Sequence, residues 1–526
     1  MDGALRNSVT VDEFAHLPAG LVFWRTGEFA VYHHNPPLLR LLAAAPLAAA
    51  GVAAPDASSD TDRWRAGFEF QRSLGERYHR TFIPARAVIA ALTLLTALLL
   101  FAVTRRALGW SAGAVALALF CFNPVVLAHG ALVTTDAGFG LAFFASCVTG
   151  AFFFRRPTWW RCLALGAVLG GALLTKFTAL LLVPLLFLAA LSLRWLASKL
   201  GEQDGFGWLR LTRWQRWSRV AATLLVALLV LNAGYLFQGV GKPLAVYPMT
   251  QPLLHALAAS PIGSLPCPLP AEYLLGFDDQ YRESSGEFPV YLMGHLTTEG
   301  WWYYYPLALL FKLPLMFHVL LAAVFGALAL RKLSWSVLLA GCIAVPVVSL
   351  LAFMTITNID IGVRYLLFLI PFACLAIAHL ATPQLSQRLT VLLVICLAYY
   401  GGGVMLSHPD YIAYFSEICG GPARGHLYLA DSNLDWGQDL LRLRSYMEKN
   451  HIPSVAISHF GLVDPVVYGI DYVPLSDPKG PDTVVISANL LLGIDPWGQA
   501  EGVARYRGRE PRARVGYSLW VFDRIR

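Results

Sequence analysis

Long apolar runs broken by short polar connectors dominate this chain. Ten stretches approach the roughly 20 residues that an α-helix needs to cross a bilayer. They lie near 83–104, 110–130, 134–154, 161–175, 177–197, 218–236, 305–330, 335–354, 363–382 and 388–406. The fourth is short, contains Gly170-Gly171 and stops at Lys176, which predicts a broken or re-entrant segment. The run 38–54 is also apolar but holds Arg40 and Pro46, and predicts a helix lying in the membrane interface. After residue 406 the pattern changes to short strand-like runs, "HLYLA", "SVAISHF", "TVVISANLLLG" and "GYSLWVFD". A helical pattern over 436–450 begins after the cap-competent Asp435. The expected fold is mainly α and polytopic, with a small C-terminal α/β domain. Three regions follow: an outer segment 1–82, a membrane domain 83–406 with a large loop at 237–304, and the domain 407–526.

Composition agrees. The 526 residues are 57% hydrophobic and 14% charged, with a mean hydropathy of +0.56, more apolar surface than a soluble domain hides. The net charge of +7 needs no nucleic-acid partner, because basic residues sort by topology. Arg105-Arg106, Arg155-Arg156-Arg161, Arg194 through Arg219, Arg331-Lys332 and Arg388 fall in alternate connectors, which the positive-inside rule makes cytoplasmic. Residues 1–82, 237–304, 355–362 and 407–526 are then extracytoplasmic. That orientation puts the N-terminus outside, although "MDGALRNSVT" carries no signal sequence, so a preceding helix is expected to be missing. Most of the cysteines, Cys342 among them, sit in apolar runs and read as small hydrophobes; Cys267 and Cys419 lie in polar segments and are placed to pair outside the cell.

Candidate chemistry collects on the outer side. In "TVDEFAHLPAGLVFWRTGEFAVYHHNPPLLRLL" the acids Asp12 and Glu13 precede His16, one helical turn on, and then Tyr32, His34 and Asn35-Pro36-Pro37. Two acids in an outer loop often do no more than solvate it or cap a helix. Here the prolines stiffen the chain and hold the pair at headgroup level. Asp136, in "LAHGALVTTDAG", opens the third apolar run, and an acid at such depth is a functional candidate. Arg86, Lys176, Lys312 and Arg364 recur near the same face. Snorkelling explains any one of them; four together suit an anionic headgroup, with arginine fitted for bidentate phosphate contact. Trp301, in "EGWWYYYPLALL", and Tyr365 stand in an aromatic belt or stack on a substrate. No Walker loop, GxGxxG, GxSxG or HExxH is present, and the histidines are too scattered for a metal centre.

The stretches "DEFAH", "NPPL", "LAHGALVTTD", "GALLTKFTALL", "GWWYYYPLALLFKLP", "IGVRYLLFLIPF", "YIAYFSEICGGP", "DSNLDWGQDLLRL" and "FGLVDPVVYGI" resemble, in order along nearly the whole chain, polyprenol-phosphate-dependent glycosyltransferases of the GT-C type. The superfamily is that of the protein O-mannosyltransferases and aminoarabinose transferases; the later motifs resemble a bacterial subgroup with a C-terminal α/β domain. Two departures stand out. Members begin with a helix before the acidic loop, and the mannosyltransferases have His-Pro-Pro-Leu where this chain has Asn35-Pro36-Pro37-Leu38.

The resemblance implies transfer of a sugar from a polyprenyl-phosphate donor to an extracytoplasmic glycan, lipid or protein, in a bacterial plasma membrane. Asp12 matches the family's catalytic aspartate, with Glu13 beside it. Asp12 is expected to take the acceptor's proton in a single inverting displacement, and Arg364, with Lys176 or Lys312, to stabilise the phosphate. Asp136 and Arg86 are expected to orient the site, as an ion pair. No metal is required, although Asp12 and Asp136 are suited to a divalent cation. In the tail, Asp431, Asp435, Trp436 and Gln438 are either a sugar-binding set or a strand-to-helix turn capped by Asp435. Two other readings stay open: a transporter or flippase of lipid-linked sugars, and a non-catalytic glycan-assembly protein.

Overall fold

A computed structural model describes residues 2–56, 62–200, 206–285, 288–330, 343–356, 360–382 and 386–525. Arg331, Lys332, Cys342, part of the loop 355–362 and the first part of the 335–354 run lie outside the described residues. Among the described residues six helices are long and apolar enough to cross a membrane: Arg63–Leu108, Asp136–Arg155, Phe177–Lys199, Arg213–Gly234, Val363–Ala381 and Gln387–Met405. Tyr304–Lys312 and Leu315–Ala329 make a further candidate, bent by 115° at Leu313-Pro314.

The remaining apolar runs form shorter helices, and the sequence explains where they break. The run 110–130 ends its first helix at Cys121 because Asn123 and Pro124 start another. The Asn123 Oδ1 accepts from the Val125 and Val126 amides at 3.0 and 3.4 Å, and Pro124 occupies a first-turn position where no N–H is needed. The expected break at Gly170-Gly171 is corrected: Trp159–Leu173 is one helix that runs through both glycines. Gly166 and Gly170 instead form its contact face. A Cβ on Gly166 would lie 2.6 Å from the Thr223 carbonyl oxygen, and one on Gly170 2.6 Å from the Val230 Cβ. The G-x-x-x-G spacing thus lets this helix close on Arg213–Gly234.

Helix Val11–Thr26 lies against Leu38–Ala49. Their backbones approach at Gly20, where a Cβ would meet the Arg40 carbonyl oxygen at 2.4 Å. Arg40 does not snorkel outward. It is buried, and its Nη1 donates to the Asn35 carbonyl at 2.6 Å.

The C-terminal region holds a five-stranded mixed sheet. Naming the strands along the chain, a hairpin β1 (Val290–Leu292) and β2 (His295–Thr297) in the 237–304 loop precedes β3 (Val455–Ser458), β4 (Tyr472–Pro474), β5 (Thr483–Ser487), β6 (Ala513–Val515) and β7 (Leu519–Asp523). The order is β4-β3-β5-β7-β6; β3 is parallel to β4 and β5, and β7 is antiparallel to β5 and β6. The run "HLYLA" contributes only an isolated bridge between Leu429 and Leu292. The tail helix spans Leu440–Lys449 rather than 436–450, because Gly437, at φ +80°, turns the chain before it. Cys267 and Cys419 are both free thiols.

Candidate active site

Asp12 and Glu13 are neighbours in sequence, and successive helical positions diverge by about 100°, so their carboxylates serve different structures. Glu13 points inward. It accepts from Arg86 Nε at 2.8 Å and Nη2 at 2.6 Å, from the Val133 amide at 3.0 Å, and from the Thr10 amide and hydroxyl at 3.1 and 3.0 Å. Both side chains of the Arg86–Glu13 pair are 0% exposed. Burial alone would raise the Glu13 pKa, but Arg86 and the two amides outweigh it and hold the group below its ordinary value. Arg86 also donates to the carbonyls of Ala4, Asn7 and Ser8. The expected Arg86–Asp136 pair is therefore corrected: Arg86 fastens the N-terminal segment. Thr10-x-x-Glu13 is a helix-start pattern whose acid reaches back to the first turn, and it was the signal for this role.

Asp12 points the other way, and its side chain keeps 28% of its exposure. The Arg364 Nη1 donates to Asp12 Oδ2 at 2.7 Å and to Asp136 Oδ2 at 3.2 Å. The Lys176 ammonium donates to the other Asp136 oxygen at 2.7 Å. Four of the expected residues thus form one chain of alternating charge, Asp12–Arg364–Asp136–Lys176, drawn from four separate segments. Tyr365 packs beside it, its ring 4.0 Å from the Lys176 Nζ and 4.9 Å from the Arg364 guanidinium. Asp12 and Asp136, the acids suited to a divalent ion, have a guanidinium bridging them. Among the described residues no group of three or more His, Cys, Asp or Glu side chains gathers as a metal site.

The tail motif "DSNLDWGQD" holds Arg364 in place. Ser432 Oγ accepts from Arg364 Nε at 3.2 Å and donates to the Ile361 carbonyl at 2.7 Å, and the Trp436 ring lies 4.3 Å from the guanidinium. Asn433 Oδ1 accepts from the Val363 amide at 2.9 Å. The same motif grips the N-terminus. Val11 and Ser8 donate their amides to the Trp436 and Gln438 carbonyls at 3.2 and 2.8 Å, and the Ser8 hydroxyl donates to the Gly437 carbonyl.

The expected sugar-binding set is corrected on this point. Asp435 is buried, accepting from the Gly437 amide and the Ser487 hydroxyl. Gln438 accepts from the Trp436 amide at 2.6 Å and donates to the Leu434 carbonyl at 3.0 Å. Asp435 ties the motif to Ser487, and the Trp436 and Gln438 carbonyls tie it to the N-terminal segment, so all three are buried in internal contacts. Asp431 accepts from the amide of Ser432, the residue that bonds Arg364. Ser432 is a residue that sequence reasoning missed; a serine has no distinguishing pattern here.

Lys312 is also corrected. It is buried, donating to the carbonyls of Ile412 at 2.9 Å and Asn433 at 2.6 Å, with its ammonium 4.3 Å from the Phe415 ring. It braces the bent helix pair against the tail.

On the far side of Asp12, His16 Nε2 lies 3.4 Å from the Tyr32 hydroxyl, which accepts from the Asn35 amide nitrogen at 3.1 Å. Burial pushes the His16 pKa down to about 4, so its ring is neutral near pH 7. Arg40 and Arg63 stand 5.1 and 5.4 Å from the Tyr32 ring, and neither arginine was singled out from sequence for this cluster. His34 and Arg63 meet Glu283 at 3.5 and 2.8 Å, which docks the helix Ala271–Ser284 of the 237–304 loop here. Trp301 donates its amide to Asp360 at 2.6 Å, away from Asp12's direct partners.

The family model described as dolichyl-phosphate-mannose-protein mannosyltransferase matches residues 78–203. Among solved structures, ArnT from Cupriavidus metallidurans bound to undecaprenyl phosphate superposes with a TM-score of 0.50 at 13% identity, covering 100% of this chain and 95% of that one. The apo form of the same ArnT matches at a TM-score of 0.48 and 13% identity, over 99% and 94% of the two chains. No curated protein matches by sequence. The chain is a mainly α, polytopic protein with an ArnT-like fold, and it resembles the polyprenol-phosphate-dependent GT-C glycosyltransferases.

Proposed function

We propose that this protein is a membrane glycosyltransferase that moves a sugar from a polyprenyl-phosphate donor to an acceptor on the extracytoplasmic face. The observation that carries the reading is the Asp12–Arg364–Asp136–Lys176 chain: one partly open carboxylate at the end of a cationic pair otherwise closed in by the protein. A glycosyl phosphate brings its own leaving group, so the protein's tasks are to neutralise phosphate charge and to accept a proton from the attacking hydroxyl. Arg364 and Lys176 suit the first task. Asp12 suits the second, taking the proton as the acceptor oxygen bonds to the anomeric carbon and the lipid phosphate leaves with the electron pair, in one step with inversion. Asp136 holds the two cations at a fixed spacing. Asn35, half-buried and bonded to the Tyr32 hydroxyl beside the buried His16, is the substrate contact on this side. The scheme needs no metal.

The ArnT structure with undecaprenyl phosphate supports a lipid-phosphate donor through a shared fold, and the alternating basic connectors support an outward-facing site. The test is purified protein reconstituted with undecaprenyl-phosphate sugars, following sugar release in wild type and Asp12→Asn. Loss of the base is expected to lower turnover by about 10²–10⁴-fold. Equal turnover in the two proteins rejects Asp12 as the base, and a flippase would move donor across the bilayer with no release in either.

A further inference from the structure

Part of the 237–304 loop is unlike a segment made to face water. Between Lys242 and Glu272 no Asp, Glu, Lys or Arg occurs, whereas the helix Ala271–Ser284 that follows carries Glu272, Asp278, Asp279, Arg282 and Glu283. The charge-free stretch folds as a short arm around the helix Pro252–Ala259. On its inner side Leu244 and Met249 pack with Leu274. On its outer side Val246, Leu253, Ile262 and Leu265 are 59–64% exposed. A helical arm that is apolar on both sides has no face suited to water.

What covers the outer side follows from what the arm continues. The helix Arg213–Gly234, long and apolar enough to cross the bilayer, leaves Leu224, Leu225 and Leu229 exposed along its length. Leu236 and Phe237 extend that exposed apolar surface at its end, and their left-handed backbones, φ +53° and +57°, turn the chain directly into the arm. The junction is tied. Asn232, in the last turn of the helix, donates from Nδ2 to the Pro268 carbonyl at 3.0 Å, and the Gly241 amide donates to the Cys267 carbonyl at 2.8 Å. The Thr250 and Gln251 amides donate to Asp278 Oδ1 at 2.8 and 2.6 Å, which fastens the arm to Ala271–Ser284. The arm therefore stands at a set height at the end of a helix whose own exposed side chains meet lipid.

We propose that the arm 243–270 lies in the bilayer interface, in the leaflet on the side of the candidate site, with Val246, Leu253, Ile262 and Leu265 turned into the lipid. The inference needs only that Arg213–Gly234 crosses the bilayer, and it does not depend on the transfer reading. The side is given by Gln238, whose Nε2 donates to the Gly27 carbonyl at the end of the helix that carries Asp12. The backbone limits the depth. Single turns and irregular chain do not face the hydrocarbon core, where a free amide finds no partner, whereas the interface still offers water and headgroups. Seven prolines between 243 and 270 remove seven such amides. The seat also steadies the site. Ala271–Ser284, fastened to the arm through Asp278, meets His33 through Glu272 at 2.7 Å and Arg63 through Glu283 at 2.8 Å. That wall of the site is thereby held at the membrane surface, the level at which a lipid-borne substrate arrives.

The test is spin-label accessibility of the full chain in lipid nanodiscs, read as the ratio of relaxation by oxygen, which concentrates in lipid, to relaxation by a water-soluble nickel chelate. Leu253→Cys and Ile262→Cys carry the label, and the chain without an added cysteine supplies the background from its own thiols. Leu225→Cys, exposed along the crossing helix, is the lipid reference, and Glu448→Cys, exposed on the tail helix, is the aqueous one. The ratio at 253 and 262 is expected to be several-fold above that at 448 and below that at 225. A ratio equal to that at 448 places the arm in water and overturns the proposal. A ratio equal to that at 225 places it in the hydrocarbon core and overturns the interfacial seat. Protection from both reagents means that a second copy or another protein covers the arm, which overturns it too.

Discussion

Two adjacent acids on one helix do opposite work, and the reason is angular. Asp12 faces the opening and keeps one side accessible. Glu13 faces Arg86, in a pair that gives up all contact with water. Removing one partner from a buried pair leaves the other charge without compensation, which costs about 3–5 kcal/mol. Glu13→Gln is therefore expected to lower the Tm markedly, and Asp12→Asn to leave it near wild type; thermal unfolding in detergent distinguishes the two. The pH sense follows from the depressed Glu13 pKa. Its stabilisation is full above the unfolded value of about 4.3 and fades as the pH drops through the lower folded value. Wild type should therefore lose stability on acidification in that range, and Glu13→Gln should lose less.

Among the elements, small residues set how closely helices approach. Gly166 and Gly170 bring Trp159–Leu173 onto Arg213–Gly234, while the adjacent Gly171 has nothing within 4 Å of where a Cβ would stand. Gly170→Val is expected to destabilise by about 1–3 kcal/mol through overpacking. Gly171→Ala is expected to stay within about 0.5 kcal/mol of wild type, and unfolding of the two variants side by side measures the difference. The bend at Leu313-Pro314 has a similar local cause. Proline cannot supply the amide that a straight helix would need, and the freed Leu315 amide instead donates to Glu417 at 3.0 Å. The length of an apolar run therefore overstated the length of the helix wherever an Asn-Pro or Leu-Pro step lay inside it.

Across the whole molecule, the two ends of the chain meet at the site. Residues 431–440 bond to Arg364 on one side and to residues 8–11 on the other, so the tail positions both the cation and the helix that carries Asp12. Gly437 is the hinge of that contact, at φ +80° and with the Phe460 carbonyl oxygen 3.1 Å from where a Cβ would lie. A side chain there costs about 1–2 kcal/mol in backbone strain. Gly437→Ala is expected to lower kcat by shifting Asp12 against Arg364, although it touches no substrate. Turnover measured at a temperature well below its Tm separates this from simple unfolding.

Periodicity and composition alone determined that this chain is a polytopic helical protein with a strand-bearing tail, because apolar length and alternation are local properties. The same reading singled out Asp136, Lys176 and Arg364, since a charge beside or within an oily run is conspicuous, whereas Asp12 was picked out by its acidic pair and by the family resemblance. Which charge pairs with which was decided by the tertiary structure. Arg86 and Lys312 looked like the other two cations in sequence, but one satisfies Glu13 and the other two backbone carbonyls. The acids and aromatics of "DSNLDWGQD" suggested a sugar platform; only packing showed that Asp435, Trp436 and Gln438 spend their polar groups inside the protein. Ser432 and Arg63 carried no signal at all. Their roles arise from segments 68 and 220 residues apart being brought within hydrogen-bond distance, and no local pattern records such an approach.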